Sequence, residues 1–60
     1  MNRIEMAQYI TDEFMKKKKK AIAVDKTDSP CEARIEYEDG TTQTVRGKIA
    51  VDLLNAEEPQ

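Results

Sequence analysis

Residues 31–37 alternate strictly between apolar and polar side chains. The apolar side carries Cys31, Ala33, Ile35 and Tyr37, and the polar side carries Glu32, Arg34 and Glu36. A period of two residues indicates a β-strand with one buried side and one solvent-facing side. The same pattern predicts that Cys31, at the start of this strand, is a small buried hydrophobic residue.

A turn and a second β-rich stretch follow this strand. Residues 41–49 are rich in β-branched side chains, and Asp39-Gly40 is a frequent turn sequence. A two-residue loop would put Ile35 and Val45 on opposite faces of the hairpin, whereas a three-residue loop with Gly40 in the left-handed conformation aligns the apolar faces. We therefore predict the loop Glu38-Asp39-Gly40. The predicted cross-strand pairs are Tyr37 with Thr41, Ile35 with Gln43 and Ala33 with Val45.

Apolar residues in the first part of the chain recur with the period of an α-helix. They fall within about half of a helical wheel, which is the width of a core-facing stripe. These residues are Ile4, Met6, Ala7, Ile10, Phe14 and Met15. Asn2 stands where an N-cap belongs, and Glu5, three residues later, completes a capping box. The signals predict an amphipathic helix over residues 3–17.

Two shorter segments complete the predicted fold. Residues 21–24 are apolar, and Ile22 and Val24 would share one face of a strand. The spacing in residues 48–58 fits either a helix from about Val51 or an extension of the preceding strand, and we favour the helix. The prediction is an α+β fold: an N-terminal amphipathic helix packed on a small three-stranded antiparallel sheet, followed by a short C-terminal helix.

The length of the chain limits the stability of this fold. Sixty residues make one domain, residues 1–60, and such a domain buries only about 60% of the surface that its unfolded chain exposes. About ten sizeable side chains are available for the core: Ile4, Ile10, Phe14, Ile22, Val24, Ile35, Tyr37, Val45, Ile49 and Leu53 or Leu54. Tyr9 and Tyr37 are expected at its rim with their hydroxyls in water. So thin a core predicts self-association or a protein partner. The surplus apolar side chains that could form the interface are Met6, Met15 and Leu54.

The chain lacks the residues that several kinds of catalytic and metal-binding site require. The chain has no histidine, so the usual general base, zinc ligand and triad imidazole are absent. The lone Cys31 can form neither an intramolecular disulfide nor a thiolate metal site. Glu32, Glu36, Glu38 and Asp39 could hold a divalent cation, although a charged, solvent-facing strand describes them more simply. We expect no enzyme activity, cofactor, metal or small-molecule substrate.

A run of five lysines is the one feature that points to a charged partner. Together with other basic residues it could neutralise the phosphates of a nucleic acid. The candidate contacts are Lys16, Lys17, Lys18, Lys19, Lys20, Lys26, Arg34 and Arg46. The simpler interpretation is a solvated helix end, because the net charge of the chain is −2 and no aromatic or arginine residue interrupts the run.

The string RIEYEDGTTQTVRGKIAVD at residues 34–52 contains a strand, an Asp-Gly turn, a second strand and a Gly-Lys-Ile segment. In this order it resembles YolD-like bacterial proteins, which are small SH3-like or Sm-like β proteins with an upstream helix. The resemblance implies a link to DNA-damage tolerance and no catalytic residue. It slightly favours the nucleic-acid interpretation.

The sequence as a whole predicts a non-enzymatic protein-binding or regulatory module of a bacterium or phage. Such an adaptor or inhibitor would act by occlusion or by β-edge addition, and it would form a homodimer. The alternative is a nucleic-acid-associated protein that uses the lysine run. The absence of a signal region, of a membrane span and of paired cysteines predicts a cytoplasmic location.

Overall fold

The computed structural model describes residues 1–57 and has the predicted α+β architecture. Its elements in chain order are helix α1 (Arg3–Tyr9), a π-helical segment (Ile10–Phe14), strands β1 (Ala21–Lys26), β2 (Glu32–Tyr37) and β3 (Thr42–Arg46), and helix α2 (Lys48–Asn55). The strands form one antiparallel sheet in the order β1-β2-β3. The buried side chains of both helices join those of the inner face of the sheet in one cluster. Glu58, Pro59 and Gln60, at the end of the predicted tail, lie outside the described residues.

Helix α1 begins as predicted and ends differently. The Oδ1 atom of Asn2 accepts from the Glu5 N–H at 2.8 Å, and the Oε1 atom of Glu5 accepts from the Asn2 N–H at 3.0 Å, which completes the capping box. After Tyr9 the chain continues as a π-helix and reaches Lys16, whose φ is 56°. A positive φ terminates a helix and is usually adopted by glycine. The helix predicted over residues 3–17 therefore ends where the lysine run begins.

The β2–β3 hairpin has the predicted three-residue loop. The Tyr37 N–H donates to the Thr41 C=O at 2.9 Å, and the Gly40 N–H donates to the Tyr37 C=O at 3.0 Å. Gly40 has a φ of 87°, which only glycine adopts without strain. The structure also contains the predicted pairs Ile35 with Gln43 and Ala33 with Val45. Alignment of the apolar faces therefore decides the register of this hairpin.

Strand β1 contains an irregularity that its sequence does not reveal. Ala21 pairs with Tyr37 and Ala23 pairs with Glu36, so two residues of β1, Ile22 and Ala23, stand opposite one residue of β2. This β-bulge lets Ala21 face the core and turns the side chain of Ile22 away, leaving it 49% exposed. The prediction that Ile22 is a core residue is wrong.

The core is small and contains a pair of buried hydroxyl groups. Half of the buried apolar side chains in residues 1–57 are alanines: Ala7, Ala21, Ala33 and Ala50 accompany Ile10, Ile35, Tyr37 and Leu53. Thr11 Oγ1 and Tyr37 Oη lie 2.9 Å apart, and Thr11 Oγ1 donates to the Ala7 C=O at 2.8 Å. Because both hydroxyls find partners, they can be buried at little cost. The Tyr37 hydroxyl therefore lies inside the protein and not at a wet rim, contrary to the prediction.

Two further residues that the sequence predicts to be buried are exposed. Phe14 is 60% exposed, because it lies in the π-helical segment, whose wider turn rotates it away from the α-helical stripe. Cys31 is exposed because β2 begins at Glu32, one residue after it. The predicted core residues that are half-buried are Ile4, Val24, Val45, Ile49 and Leu54.

Helix α2 confirms the helical alternative for the tail. It begins at Lys48, three residues before the predicted start, because Gly47 turns the chain directly out of β3. Gly47 has φ 85° and ψ −152°, a conformation that is essentially limited to glycine. The end of α2 is tied to the start of α1, since Nη2 of Arg3 donates to the Leu54 C=O at 2.7 Å.

Candidate functional site

Strand β3 has one edge paired with β2 and one edge that has no neighbouring strand among residues 1–57. Backbone groups alternate in direction along an antiparallel strand. The hydrogen bond from the Tyr37 N–H to the Thr41 C=O fixes this alternation, so Thr42 and Thr44 direct their N–H and C=O groups away from β2. Both threonines are exposed, and no backbone group of residues 1–57 accepts from their N–H groups. The Gln43 side chain reaches this edge, where Nε2 donates to the Thr44 C=O at 3.3 Å.

The edge of β1 is protected by several features. Gln8 of α1 accepts from the Ala21 N–H through Oε1 at 2.9 Å and donates from Nε2 to the Lys19 C=O at 2.8 Å. The bulge at Ile22 interrupts the regular spacing of the strand, and Lys26 places a charge at its far end. Bulges and edge lysines both discourage the addition of another strand. The two edges of the sheet therefore differ in accessibility.

The outer face of the sheet also differs from side to side. Towards β3, Nε of Arg46 donates to Oε2 of Glu32 at 2.8 Å, and the hydrogen bonds from Arg46 and then Thr27 hold the pKa of Glu32 below its usual value. Towards β1, the hydrogen bond with Asp25 and then its negative charge raise the pKa of Glu36. The β3 side carries an ion pair, and the β1 side carries two carboxyl groups that repel each other when both are ionised.

Lys19 of the lysine run lies against the hairpin turn. Its Nζ atom donates to Thr41 Oγ1 at 2.8 Å, and it lies 3.4 Å from Oδ2 of Asp39 and 5.5 Å from the centre of the Tyr37 ring. Hydrogen bonds from Thr41, followed by the charge of Lys19, hold the pKa of Asp39 below its usual value. The acidic turn thus provides an intramolecular partner for the basic run.

Two other lysines of the run have similar partners. Nζ of Lys20 lies 3.8 Å from Oε2 of Glu38, and Nζ of Lys17 donates to Oε1 of Gln43 at 2.8 Å. In the described part of the chain, the members of the run whose side chains make no such contact are Lys16 and Lys18. Most of the run is therefore engaged within the molecule.

The other predicted nucleic-acid contacts lie away from the run. Lys26 and Arg46 are at the end of the sheet opposite the hairpin turn, and Arg34 is in the middle of the outer face. The four residue steps along β2 from Ala33 to Tyr37 correspond to about 13 Å between the two ends. The structure does not bring the eight predicted contacts together into one basic surface.

The three residues predicted as a protein interface, Met6, Met15 and Leu54, are half-buried and pack against the core. The large apolar side chains that are most exposed are different ones: Met1, Tyr9, Phe14 and Ile22. None of these four side chains is among the predicted interface residues.

Tyr9 and Phe14 contact each other on the exposed side of the N-terminal helix. Their ring centres lie 5.9 Å apart in an edge-to-face arrangement. Residues five apart point in different directions on an α-helix, but a π-helix, with its bond between residues i and i+5, brings them together. No signal in the sequence distinguishes this π-helical segment from the α-helix before it.

The acidic residues considered as a cation site are mostly engaged with basic side chains. Glu32, Glu38 and Asp39 contact Arg46, Lys20 and Lys19, respectively. Within residues 1–57 no group of three or more acidic, cysteine or histidine side chains is placed to hold a metal ion. None of the helices in this range has the length and apolar character needed to cross a membrane.

Comparisons with models of protein families, with curated proteins and with solved structures find no match to this chain. The resemblance to YolD-like proteins therefore depends on residues 34–52 alone.

Proposed function

We propose that this chain is a non-enzymatic protein-binding module that takes up an extended strand at the outer edge of β3. The observation that carries the proposal is the pair of outward N–H groups of Thr42 and Thr44, which meet no backbone acceptor within residues 1–57. Strand addition supplies affinity through main-chain hydrogen bonds and specificity through alternate side chains. Occupying this edge would let a small domain act as an adaptor or an inhibitor.

The side chains around this edge favour one kind of incoming strand. Thr42 and Thr44 present small polar groups on the outer face, whereas Val45 on the inner face is only half-buried. An incoming strand with polar residues on one side and apolar residues on the other would match both faces. The regular pairing of β3 with β2 over all five of its residues leaves the edge straight enough to accept such a strand.

A nucleic-acid-associated function is the second candidate, and the exposed side chains of Lys16 and Lys18 favour it. Phosphate binding by the whole run would require Lys17, Lys19 and Lys20 to share or give up their contacts with the hairpin. Because of this competition, we propose nucleic-acid binding only as the second candidate, after strand addition.

Photo-crosslinking tests the proposed function. A benzophenone side chain replaces Thr42 in one variant and Arg34, which lies on the outer face away from the edge, in a matched control. In a bacterial extract we expect protein adducts from position 42 that disappear when Thr44→Pro is added, because proline removes an outward N–H and spares the ladder with β2. Position-42 adducts that survive Thr44→Pro, or a lack of any protein adduct, would contradict the proposal.

A salt titration with random duplex DNA tests the second candidate. Binding that weakens steeply as salt rises, with a slope that flattens when the five lysines become glutamine, would support a nucleic-acid function. An absence of binding at low salt would remove it.

A further inference from the structure

The outer edge of β3 is complementary to itself. We propose that its occupant is β3 of a second copy of this chain, paired antiparallel about a two-fold axis that passes between the two Thr44 residues. This inference rests on the proposed function, since it names the partner that the β3 edge receives. It predicts a dimer with one continuous six-stranded sheet, a size that is common in proteins.

The direction of the backbone groups limits the possible registers. Outward groups must meet outward groups, so Thr44 can face an even-numbered residue of the second copy but not Gln43 or Val45. Placing Thr44 opposite Thr44 also sets Thr42 opposite Arg46, and it overlaps all five residues of β3 with all five of the second copy. A shift by two residues leaves some of these positions unpaired. Full overlap therefore selects the Thr44–Thr44 register.

The charges of the outer face fit this register. Each Arg46 would lie beside Thr42 of the second copy, and the next residue in the same row is Glu36 of that copy. Two strand spacings, about 9.5 Å between Cα atoms, separate Arg46 from that Glu36, which the two long side chains can span. Arg46 would then stand between Glu32 of its own chain and Glu36 of the other, so opposite charges meet across the axis.

Like charges are kept apart in the same arrangement. The row through the axis contains Arg34, Thr44, Thr44 and Arg34, so the two arginines are three strand spacings apart. That distance is about 14 Å, which exceeds the Debye length of about 8 Å at physiological ionic strength. Each Arg34 also has Asp25 opposite it in its own chain. Repulsion across the axis is therefore weak.

The thin core supplies a reason for pairing. Half of the buried apolar side chains in residues 1–57 are alanines, and Val45 is only half-buried beside the free edge. In the proposed register Val45 lies opposite Gln43 of the second copy on the inner face, which removes more of its surface from water. A domain of this size commonly gains stability from a partner subunit.

Sedimentation equilibrium of three chains tests the dimer. We expect the native chain and Thr44→Val, which keeps the N–H, to dimerise alike between micromolar and near-millimolar concentrations. Thr44→Pro should remain folded and dimerise at least about tenfold more weakly, because both central hydrogen bonds are lost. A native chain that stays monomeric throughout, or a Thr44→Pro chain that dimerises like the native one, would overturn the proposal.

Two further measurements keep the test decisive if Thr44→Pro fails to fold. In the native chain, exchange of the Thr42 and Thr44 amide hydrogens should slow as concentration rises, and concentration-independent exchange would overturn the dimer. Glu36→Arg should weaken the dimer by placing a second guanidinium group near Arg46 of the other copy, and an unchanged or stronger dimer would overturn the register. If the native chain is monomeric but the position-42 adducts with other proteins are lost on Thr44→Pro, the second copy is excluded and the proposed function stands.

Discussion

The two edge strands of the sheet differ in how accessible their outer edges are to another strand. Strand β1 has a bulge, a lysine at its far end and a side-chain cap from Gln8, whereas β3 is regularly paired and leaves the N–H groups of Thr42 and Thr44 open, with the Gln43 side chain contacting the Thr44 C=O. Natural sheets block edges that must not pair, because an open edge is a template for another strand. The contrast is the reason why we propose strand addition at the β3 edge and not at the β1 edge.

The largest expected effect comes from two proline substitutions in β3, one that removes an inward N–H group and one that removes an outward N–H group. Gln43→Pro removes an N–H that points towards β2 and leaves the C=O of the buried Ile35 without its hydrogen-bond donor. We therefore expect a loss of about 3 kcal/mol in the free energy of unfolding. For a domain of this size such a loss lowers the Tm by roughly 12–24 °C. Thr44→Pro, one residue away, should change the stability of the monomer much less. Thermal melts at one concentration would contradict the assignment of outward and inward groups if the two variants lost stability equally.

The chain segments next to β1 and β3 provide a second comparison. Gly47, which follows β3, and Lys16, which precedes the connector to β1, both have positive φ. Gly47→Ala should destabilise the fold by about 1–3 kcal/mol through backbone strain alone, because a Cβ there would meet no atom of the described residues within 4 Å. Lys16→Gly should instead stabilise it, by about 0.5–1 kcal/mol, since glycine relieves the left-handed strain but increases the entropy of the unfolded chain. Urea titrations that give the same sign for both substitutions would contradict this account.

The sequence contains enough information to predict β3 and its hairpin. The alternation of residues 31–37 and the position of Gly40 leave one loop length that aligns Ile35 and Val45 on compatible faces. The register therefore follows from the choice between a loop of two residues and a loop of three residues. The capping box of α1 is equally local, because its two partners lie three residues apart.

The region around β1 could not be predicted in the same way. A short apolar stretch such as residues 21–24 can shift by one residue through a bulge, and only the tertiary position of Tyr37 opposite Ala21 decides where the shift falls. The π-helical turn that exposes Phe14 has no composition signal, and Lys16 terminates the helix where a glycine would be expected. The contacts of Lys19 and Lys20 with Asp39 and Glu38 could not be predicted either, because they join segments that are far apart in the sequence.

Removal of the Gln8 cap should weaken β1 without affecting the β3 edge. Gln8→Ala leaves the part-buried Ala21 N–H and Lys19 C=O without their partner, and we expect a loss of about 1–2 kcal/mol. Gln8→Glu keeps an acceptor for the Ala21 N–H, but it sets a carboxylate oxygen against Oδ1 of Asp12 and the Lys19 C=O, so it should not restore the lost stability. Hydrogen exchange should accelerate at Ala21 and remain unchanged at Thr44. Equal acceleration at both amides would show that the two edges are not independent.

The smallest expected effects come from the two carboxyl groups of β2 on the outer face, and they have opposite signs. Glu32 faces Arg46 of β3 and has a lowered pKa, so it stabilises the fold above its unfolded pKa and loses this contribution as the pH falls through the folded value. Glu36 lies beside Asp25 of β1 and has a raised pKa, so its ionised form destabilises the fold at neutral pH, and protonation relieves the repulsion as the pH falls. In the Thr44→Pro background, in which we expect self-association to be weakened, Glu32→Gln should lower the Tm at neutral pH and Glu36→Gln should raise it. Both differences should shrink towards acidic pH, where the native carboxyl groups are themselves neutral. Shifts of the same sign at neutral pH would mean that the two sides of the sheet do not differ electrostatically in the way described.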